Sequence, residues 1–150
     1  MKLAKLARYA LVLALTADSV WAADDAGVVK TRKGSVVIER SGQQMDAPVG
    51  TRIFASDRIV TGTDSSVGIT LRDNTLLSAG PNSVLHMNKF VFNSSTHVGV
   101  IDASVRRGTV SVISGKIAKA SPDSVSFSTP SMTLAVRGTH FIMDAGQEGE

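Results

Sequence analysis

Carboxylates are the side chains of this sequence that could most readily take part in catalysis. Two of them brought together in the folded protein could carry out glycoside hydrolysis. Spacing along the sequence neither supports nor excludes such a pair, because the two groups would meet only in three dimensions. The carboxylates away from the two ends of the chain, most of them at predicted turns, are Glu39, Asp46, Asp57, Asp64, Asp73, Asp102, Asp123 and Asp144.

Other catalytic and metal-binding patterns are missing from the sequence. There is no cysteine, and no serine lies in the glycine-x-serine-x-glycine turn that exposes a nucleophile. A metal site needs three or four converging ligands, and His86, His97 and His140 do not have the spacing of such a site. No glycine-rich loop that cradles a phosphate is present. We therefore predict that the protein is not an enzyme and has no cofactor and no metal.

Residues 1–22 have the three parts of a secretory signal peptide. Basic residues open the segment, and an apolar stretch at 10–17 follows, which is too short to span a bilayer. Val20 and Ala22 stand at the −3 and −1 positions before a predicted cleavage at Ala23. The sequence therefore predicts an exported protein, located in the periplasm or secreted.

Charge argues against nucleic acid as a partner. The chain has 16 Lys and Arg residues and 13 Asp and Glu residues, but three of the basic and one of the acidic residues lie in the predicted leader. The exported part therefore has a net charge of only +1, and its basic residues form no cluster larger than a pair. Without cysteine it has no disulfide and no lipid-bearing residue, and no later apolar run approaches the roughly 20 residues of a membrane span. We predict no nucleic-acid partner and no stable membrane anchor.

From residue 27 onward, short strands alternate with turns. Residues 66–72 place Val67, Ile69 and Leu71 on one face and polar or small residues on the other, which is the pattern of a half-buried strand. Turn residues recur about every ten positions between such strands. The pattern predicts an all-β fold of many short strands, in a β-solenoid-like or sandwich arrangement, preceded by a cleavable signal helix.

The same alternation predicts the remaining elements. Adjacent apolar residues at 100–101 and at 112–113 change the alternating face and predict two β-bulges. One helical turn is predicted at 116–120. The other predicted strands are residues 27–31, 35–39, 58–61, 75–78, 83–92, 98–105, 109–113, 124–128, 132–136 and 139–144.

Five motifs, in order along the chain, resemble the FecR domain. The first is similar to the family's glycine-aspartate-arginine-hydrophobic-x-threonine-glycine turn, and the second to a strand that ends in an aspartate-glycine hairpin. The resemblance covers residues 27–143. The matching stretches are residues 56–62 (SDRIVTG), 71–75 (LRDNT), 80–83 (GPNS), 114–119 (SGKIAK), and 128–130 (STP) with 136–139 (VRGT).

The chain departs from this family pattern in instructive ways. Ser56 and Asn74 stand where the family has glycine, and asparagine tolerates the positive φ of a hairpin turn. Signalling members of the family have a cytosolic segment that holds a sigma factor, followed by a transmembrane helix. Here a leader stands in their place. The resemblance therefore implies an extracytoplasmic module without the direct anti-sigma role.

The resemblance also marks a set of motif residues, which we interpret as structural. An aspartate at a turn can accept backbone N–H groups, and an arginine can satisfy several carbonyls with its five donors. The motif residues are Asp57, Arg58, Thr61, Gly62, Asp73, Gly80, Pro81, Thr129, Pro130, Arg137, Gly138 and Thr139.

The predicted organisation is a signal peptide at 1–22, a short segment at 23–26, a FecR-like β domain at 27–143, and a polar tail or truncated domain end at 144–150. We predict a non-enzymatic binding or scaffold module that engages an envelope protein or glycan and takes part in extracytoplasmic signalling. The alternative is an envelope polysaccharide hydrolase that uses two turn carboxylates. The sequence leaves the identity of the partner and the oligomeric state open.

Overall fold

The computed structural model describes residues 24–135 and 138–147, so the predicted signal helix lies outside the described residues. Among them are one short helix, α1 (Lys116–Ala120), where a helical turn was predicted, and a 3-10 turn (Pro122–Ser124). The described strands are β1 (Gly27–Lys33), β2 (Val36–Arg40), β3 (Gln43–Asp46), β4 (Arg52–Ile53), β5 (Arg58–Thr61), β6 (Ser66–Leu71), β7 (Leu76–Ala79), β8 (Val84–Phe92), β9 (Gly99–Arg107), β10 (Thr109–Ile113), β11 (Val125–Ser128), β12 (Thr133–Ala135) and β13 (His140–Asp144).

The strands form two open sheets. Sheet A has six strands in the order β13-β10-β7-β6-β1-β4, and sheet B has seven in the order β12-β11-β9-β8-β5-β2-β3. All pairings are antiparallel except that of β9 with β11, which is parallel. The all-β prediction is confirmed. Of the two predicted arrangements, the described residues form a two-sheet structure and not a solenoid.

The core lies on the inward faces of both sheets. Alternation places Val67, Ile69 and Leu71 of β6 inward from sheet A, and Ile59 of β5 inward from sheet B. These side chains belong to one buried apolar cluster, in which Phe127 is the largest member. The period-2 pattern of the sequence therefore determines which side chains enter the core.

Both predicted bulges are wrong. Val100 and Ile101 pair in regular register with Val91 and Phe90, and residues 112–113 pair regularly with β13. In each pair one residue is in the core and the other points away from it: Ile101 and Val112 are each 1% exposed, whereas Val100 is half-buried and Ile113 is 43% exposed. Register shifts occur instead between Val29 and Thr31 on β1, and between Val84 and Leu85 and between Met87 and Lys89 on β8.

Two strands were missed by the alternation pattern. β3 has the sequence Gln-Gln-Met-Asp and β4 has only two residues, so neither has a recognisable apolar face. Each lies at the edge of a sheet, where only one neighbour pairs with it. Their formation depends on partner strands and hence on contacts that are distant in sequence.

Candidate binding face

Asp57 lies at the turn before β5, with its side chain only 1% exposed. Arg40 donates to both of its carboxylate oxygens, from Nε at 2.8 Å and from Nη2 at 2.7 Å, and the backbone N–H of Phe54 donates to Oδ2 at 2.8 Å. The Arg40 guanidinium also lies over the Phe54 ring, 4.6 Å from its centroid. Hydrogen bonding to Asp57 raises the pKa of Arg40 further above its usual value. These three residues, the Asp57 junction, tie the β4–β5 turn to β2.

Thr61, at the end of β5, is the centre of a second group of buried hydrogen bonds that connect separate elements. Its hydroxyl donates to the carbonyl of Gly80 at 2.6 Å and accepts from the N–H of Ser83 at 2.9 Å. The hydroxyl of Ser83 in turn accepts from the N–H of Thr109 at 3.1 Å. These four residues, the Thr61 junction, join the ends of β5, β8 and β10, so that both sheets are connected.

Gly62 and Pro81 flank the Thr61 junction. The N–H of Gly62 donates to the carbonyl of Ser35 at 3.0 Å, and a Cβ on Gly62 would lie 3.3 Å from the Cβ of Ser35. Pro81 is exposed, and its carbonyl accepts from the hydroxyl of Ser83 at 3.3 Å. Both residues shape the turns around the junction and present no reactive group.

Asp73 is buried in the β6–β7 turn and holds the start of α1. Its carboxylate accepts from the N–H and hydroxyl of Thr75, at 3.0 and 2.8 Å, and from the N–H of Ile117 at 3.2 Å. The Thr75 hydroxyl accepts from the N–H of Gly115 at 3.1 Å. These four residues, the Asp73 junction, satisfy helix N–H groups that would otherwise lack an intrahelical acceptor. Two motifs separated by about 40 residues therefore meet at one point.

The four described motif residues nearest the C-terminus, Thr129, Pro130, Gly138 and Thr139, are held less tightly. Thr129 is half-buried, and its hydroxyl accepts weakly from the N–H groups of the turn that follows it; the other three are exposed. Gly138 and Thr139 are bound through their carbonyls, each of which accepts from Ser114 at 2.8 Å. We call these four the C-terminal motif residues.

Arg137 lies outside the described residues, so its role stays a prediction. Arg58, the remaining motif residue, is not buried in a turn. It points outward from β5, where it pairs with Glu39 of β2 at 3.0 Å. Arg58 belongs instead to a row of polar side chains on the outer face of sheet B, which no single motif predicted.

The outer face of sheet B carries one polar side chain from each of its seven strands, aligned in register. Each successive pair lies directly opposite across two neighbouring strands, from β3 at one edge to β12 at the other. We call this set the polar row. Its members, in spatial order, are Gln44, Glu39, Arg58, His86, Ser104, Ser128 and Thr133.

Hydrogen bonds hold the members of the polar row in place. At one end, the amide of Gln44 donates to Glu39 at 3.0 Å, and Glu39 accepts from Arg58. In the middle, Asn88 at the β8 bulge contacts the ring Nδ1 of His86 and donates to Ser104 at 2.7 Å. The hydroxyls of Ser104 and Ser128 continue the chain at 3.0 Å. Hydrogen bonds thus preorganise two stretches of the row, from Gln44 to Arg58 and from His86 to Ser128.

Two adjoining clefts open at the Gln44 end of the polar row. One, of about 400 Å³, is lined by Glu39, Gln44 and Arg58 together with Ser41 and Ser56. The other, of about 350 Å³, is lined by the same two serines and by the three residues of the Asp57 junction. Ser41 and Ser56 have φ angles of +53° and +73°, a left-handed backbone that is uncommon outside glycine.

The turn aspartates of the hydrolase alternative are bound by other groups of the chain. Asp57 and Asp73 belong to separate junctions that share no residue, and each carboxylate accepts at least three hydrogen bonds from its own chain. Asp102, beside the polar row, accepts from Asn88 at 3.2 Å. Within residues 24–135 and 138–147, no group of three or more His, Asp or Glu side chains could hold a metal ion.

The three histidines lie apart from one another. His86 is in the polar row, and His97 stacks on Phe92 with ring centroids 6.3 Å apart. His140 is exposed on β13, where its Nε2 is 3.0 Å from the hydroxyl of Ser111. Each therefore has a separate local partner.

A protein-family model described as FecR protein matches residues 57–150. The chain belongs to the FecR family. No curated protein and no solved structure matches it. Among the residues that the structure describes, no helix is long and apolar enough to cross a membrane.

The FecR match begins at Asp57 and contains the family residues of all three junctions. Arg40 and Phe54, the partners of Asp57, precede the matched segment, as does Glu39 of the polar row. Sequence reasoning proposed the aspartates and Arg58, but it did not propose Gln44, Ser104 or Ser128 as site residues. Ser104 and Ser128 had only weak local signals, an outward position on a predicted strand and, for Ser128, a place in a motif stretch, and Gln44 lies on a strand that was not predicted. That these residues lie side by side can be seen only from the pairing register of the seven strands.

Proposed function

We propose that this FecR-family chain is an exported, non-enzymatic binding module that works in the extracytoplasmic space. Export is supported by the basic, apolar and cleavage-site pattern of residues 1–22. Membership of a family whose signalling members place this domain outside the cytoplasm supports the same location. A regulatory effect would then pass through a partner of the domain.

The observation that carries a binding role is the polar row. It crosses all seven strands of sheet B and presents ordered donors and acceptors on an outer face. The buried carboxylates of the family motifs, in contrast, are occupied by backbone and side-chain donors of the chain itself. Of the seven row residues only Ser104, at 6% exposed, is buried, and the other six are half-buried or exposed. A rigid sheet that presents ordered polar groups in this way is suited to recognition.

The hydrolase alternative has no specific observation in its favour. An acid and a nucleophile or base must face one substrate bond from a common cleft. Glu39 lines one cleft, whereas Asp57 lines the adjoining one and is bound on both oxygens by Arg40. We therefore propose binding without turnover.

Photocrosslinking in the periplasm tests the proposal. A photoreactive amino acid is placed at Ser126, which lies on the outer face of sheet B, and in a second variant at Ser78, on the outer face of sheet A. We expect an exported protein that begins at Ala23 by intact mass and a crosslinked envelope component from position 126 but not from position 78. Retention of the leader in a cytoplasmic product, or no difference between the two positions, would refute the proposal.

A parallel assay addresses catalysis. Purified protein is incubated with envelope polysaccharide, and the release of reducing ends is measured. We expect no release. Release by the wild type that is abolished by Asp57→Asn, Asp73→Asn or Asp102→Asn would establish the hydrolase instead.

A further inference from the structure

We infer that the polar row and the cleft at its Gln44 end bind a neutral polysaccharide chain. This inference rests on the proposed binding function and names the chemical class of its ligand. The row runs perpendicular to the strands across seven of them, so at about 4.8 Å per strand it is roughly 29 Å long. A linear ligand with repeated polar groups fits a surface of this shape better than a small compact molecule does.

The charge balance of the face favours an uncharged ligand. Glu39 and Arg58 form an ion pair with each other at 3.0 Å and neutralise each other within the row. Beside the row, Asp102 lies directly opposite Lys89 in the register of β8 and β9. A nucleic acid or an acidic polymer needs an excess of cationic side chains, which this face does not offer.

The functional groups of the row match those of sugar hydroxyls. Gln44 in the row and Asn88 beside it carry amides, and Ser128 and Thr133 carry hydroxyls that are not buried, so each of these side chains can both donate and accept. A sugar hydroxyl has the same dual capacity. The carboxylate of Glu39 adds acceptors at the edge of the row where the cleft opens.

The composition of the row is unlike that of a protein-binding surface. The centre of a protein interface is enriched in aromatic and apolar residues and depleted in charged ones. The row contains no Phe, Tyr or Trp, and of its central members Arg58, His86 and Ser104 only Arg58 is of a type enriched in protein interfaces. Exposed apolar side chains lie outside the row, at Val91 and Leu134 of sheet B (50% and 38% exposed) and at Leu76, Ile113 and Ile142 of sheet A (41%, 43% and 64% exposed).

The cleft provides an end site for the chain. Its volume of about 400 Å³ is within the range of small-ligand pockets, which is about 300–1,000 Å³. Phe54 lines the adjoining cleft and not this one, so the end site itself is lined by polar side chains and Gly42.

Calorimetric titration with defined neutral hexasaccharides tests the inference, with chitohexaose and laminarihexaose as the probes. Two matched variant pairs separate the row from the rest of the surface. Gln44→Ala removes a row amide, whereas Gln43→Ala removes the neighbouring exposed amide that points to the other side of β3. Ser126→Arg obstructs the face beside Ser128, and Ser78→Arg places the same side chain on sheet A.

We expect at least one probe to bind, with binding weakened on the order of 5- to 10-fold by Gln44→Ala, as for the loss of one hydrogen bond, and abolished by Ser126→Arg. Gln43→Ala and Ser78→Arg should bind as the wild type does. Thermal melts of all four variants establish that each is folded.

Three results would overturn the inference: no binding of either probe at millimolar concentration, equal losses in both members of a pair, or a protein crosslinked from position 126. The last of these would leave the proposed binding function intact and replace only its ligand class. A failure of export or measurable glycan cleavage would instead defeat the proposed function itself.

Discussion

The family motifs divide into two groups with different surroundings. Asp57, Thr61 and Asp73, at the three junctions, are each no more than 2% exposed, and each makes at least one hydrogen bond to a residue 17 or more positions away. The C-terminal motif residues make fewer bonds, and three of the four have exposed side chains. Both groups were recognised in the same way, as short signatures at turns.

The difference teaches that a family signature does not by itself mark a binding site. A buried carboxylate or hydroxyl must find partners, because leaving it unpaired costs about 1–3 kcal/mol or more. The junction residues meet that requirement, and among the described residues no buried side-chain nitrogen or oxygen lacks a partner. Their presence in the family signature is explained by the need to pair buried polar groups in the folded protein. The exposed motif residues have no such need, so this reason does not account for them.

The largest effect is expected at the Asp57 junction. Asp57→Ala removes the acceptor of two Arg40 bonds and of the Phe54 N–H, and leaves the Arg40 charge beside an apolar ring. We expect a loss of about 2–4 kcal/mol in the free energy of unfolding by urea denaturation. The control is Asp144→Ala, which removes a single exposed bond to Gly146. Equal effects of the two variants would contradict the division into groups.

A steric test at the Asp73 junction should have the next largest effect. A Cβ at Gly115 would lie 2.3 Å from the carbonyl oxygen of Asp73 and 2.5 Å from the nitrogen of Thr75, so Gly115→Ala must displace backbone. We expect a destabilisation of about 1–3 kcal/mol, measured as a lower melting temperature. In Gly80→Ala the nearest atom would be 3.8 Å away, and stability should change little by comparison. A larger loss for Gly80→Ala would contradict the packing described at Gly115.

A matched pair of threonines compares the two groups directly. Thr61→Val keeps the side-chain shape but removes the hydroxyl that binds Gly80 and Ser83, which should cost about 1–3 kcal/mol. Thr139→Val makes the same change on an exposed side chain and should stay within about 0.5 kcal/mol. Chemical denaturation of both variants gives the two values. A loss at Thr139 as large as at Thr61 would show that the exposed motif also supports the fold.

The smallest effect on stability is expected at the exposed ion pair of Arg32 and Asp46, which has the same residue types as the partly buried pair of Arg40 and Asp57. Arg32 of sheet A donates to Asp46 of sheet B, and this hydrogen bond lowers the pKa of Asp46 below its usual value of 3.8. A lowered folded-state pKa stabilises the protein above pH 3.8, and the contribution is lost as the pH falls through the folded-state value. Since the pair is exposed, the change should be small and should decrease with added salt.

An NMR titration of the Asp46 carboxyl carbon checks this prediction. Arg32→Gln should return the Asp46 pKa toward 3.8. An unchanged pKa in that variant would mean that the guanidinium is not its cause. A stability difference between Asp46→Asn and wild type that persists at pH 2 would contradict the sign derived above.

Local pattern determined most of what could be predicted. Alternation along residues such as Val67, Ile69 and Leu71 sets both the strand and its inward face, since successive side chains of a strand point to opposite sides. Turn residues set the ends of strands, and β5 and β10 have the predicted bounds. The family resemblance, resting on short motifs, is also local information, and the FecR match confirms it.

What depended on long-range pairing could not be predicted. β3 forms because β2 pairs with it, the actual bulges follow from the register between β8 and β9, and the Asp73 junction needs Gly115 brought back to the β6–β7 turn. The polar row is the clearest case, because Gln44 and Thr133 are about 90 residues apart and join one line only through six strand pairings. Alternation determines which residues face outward, but only the register of the folded sheet decides which of them stand side by side.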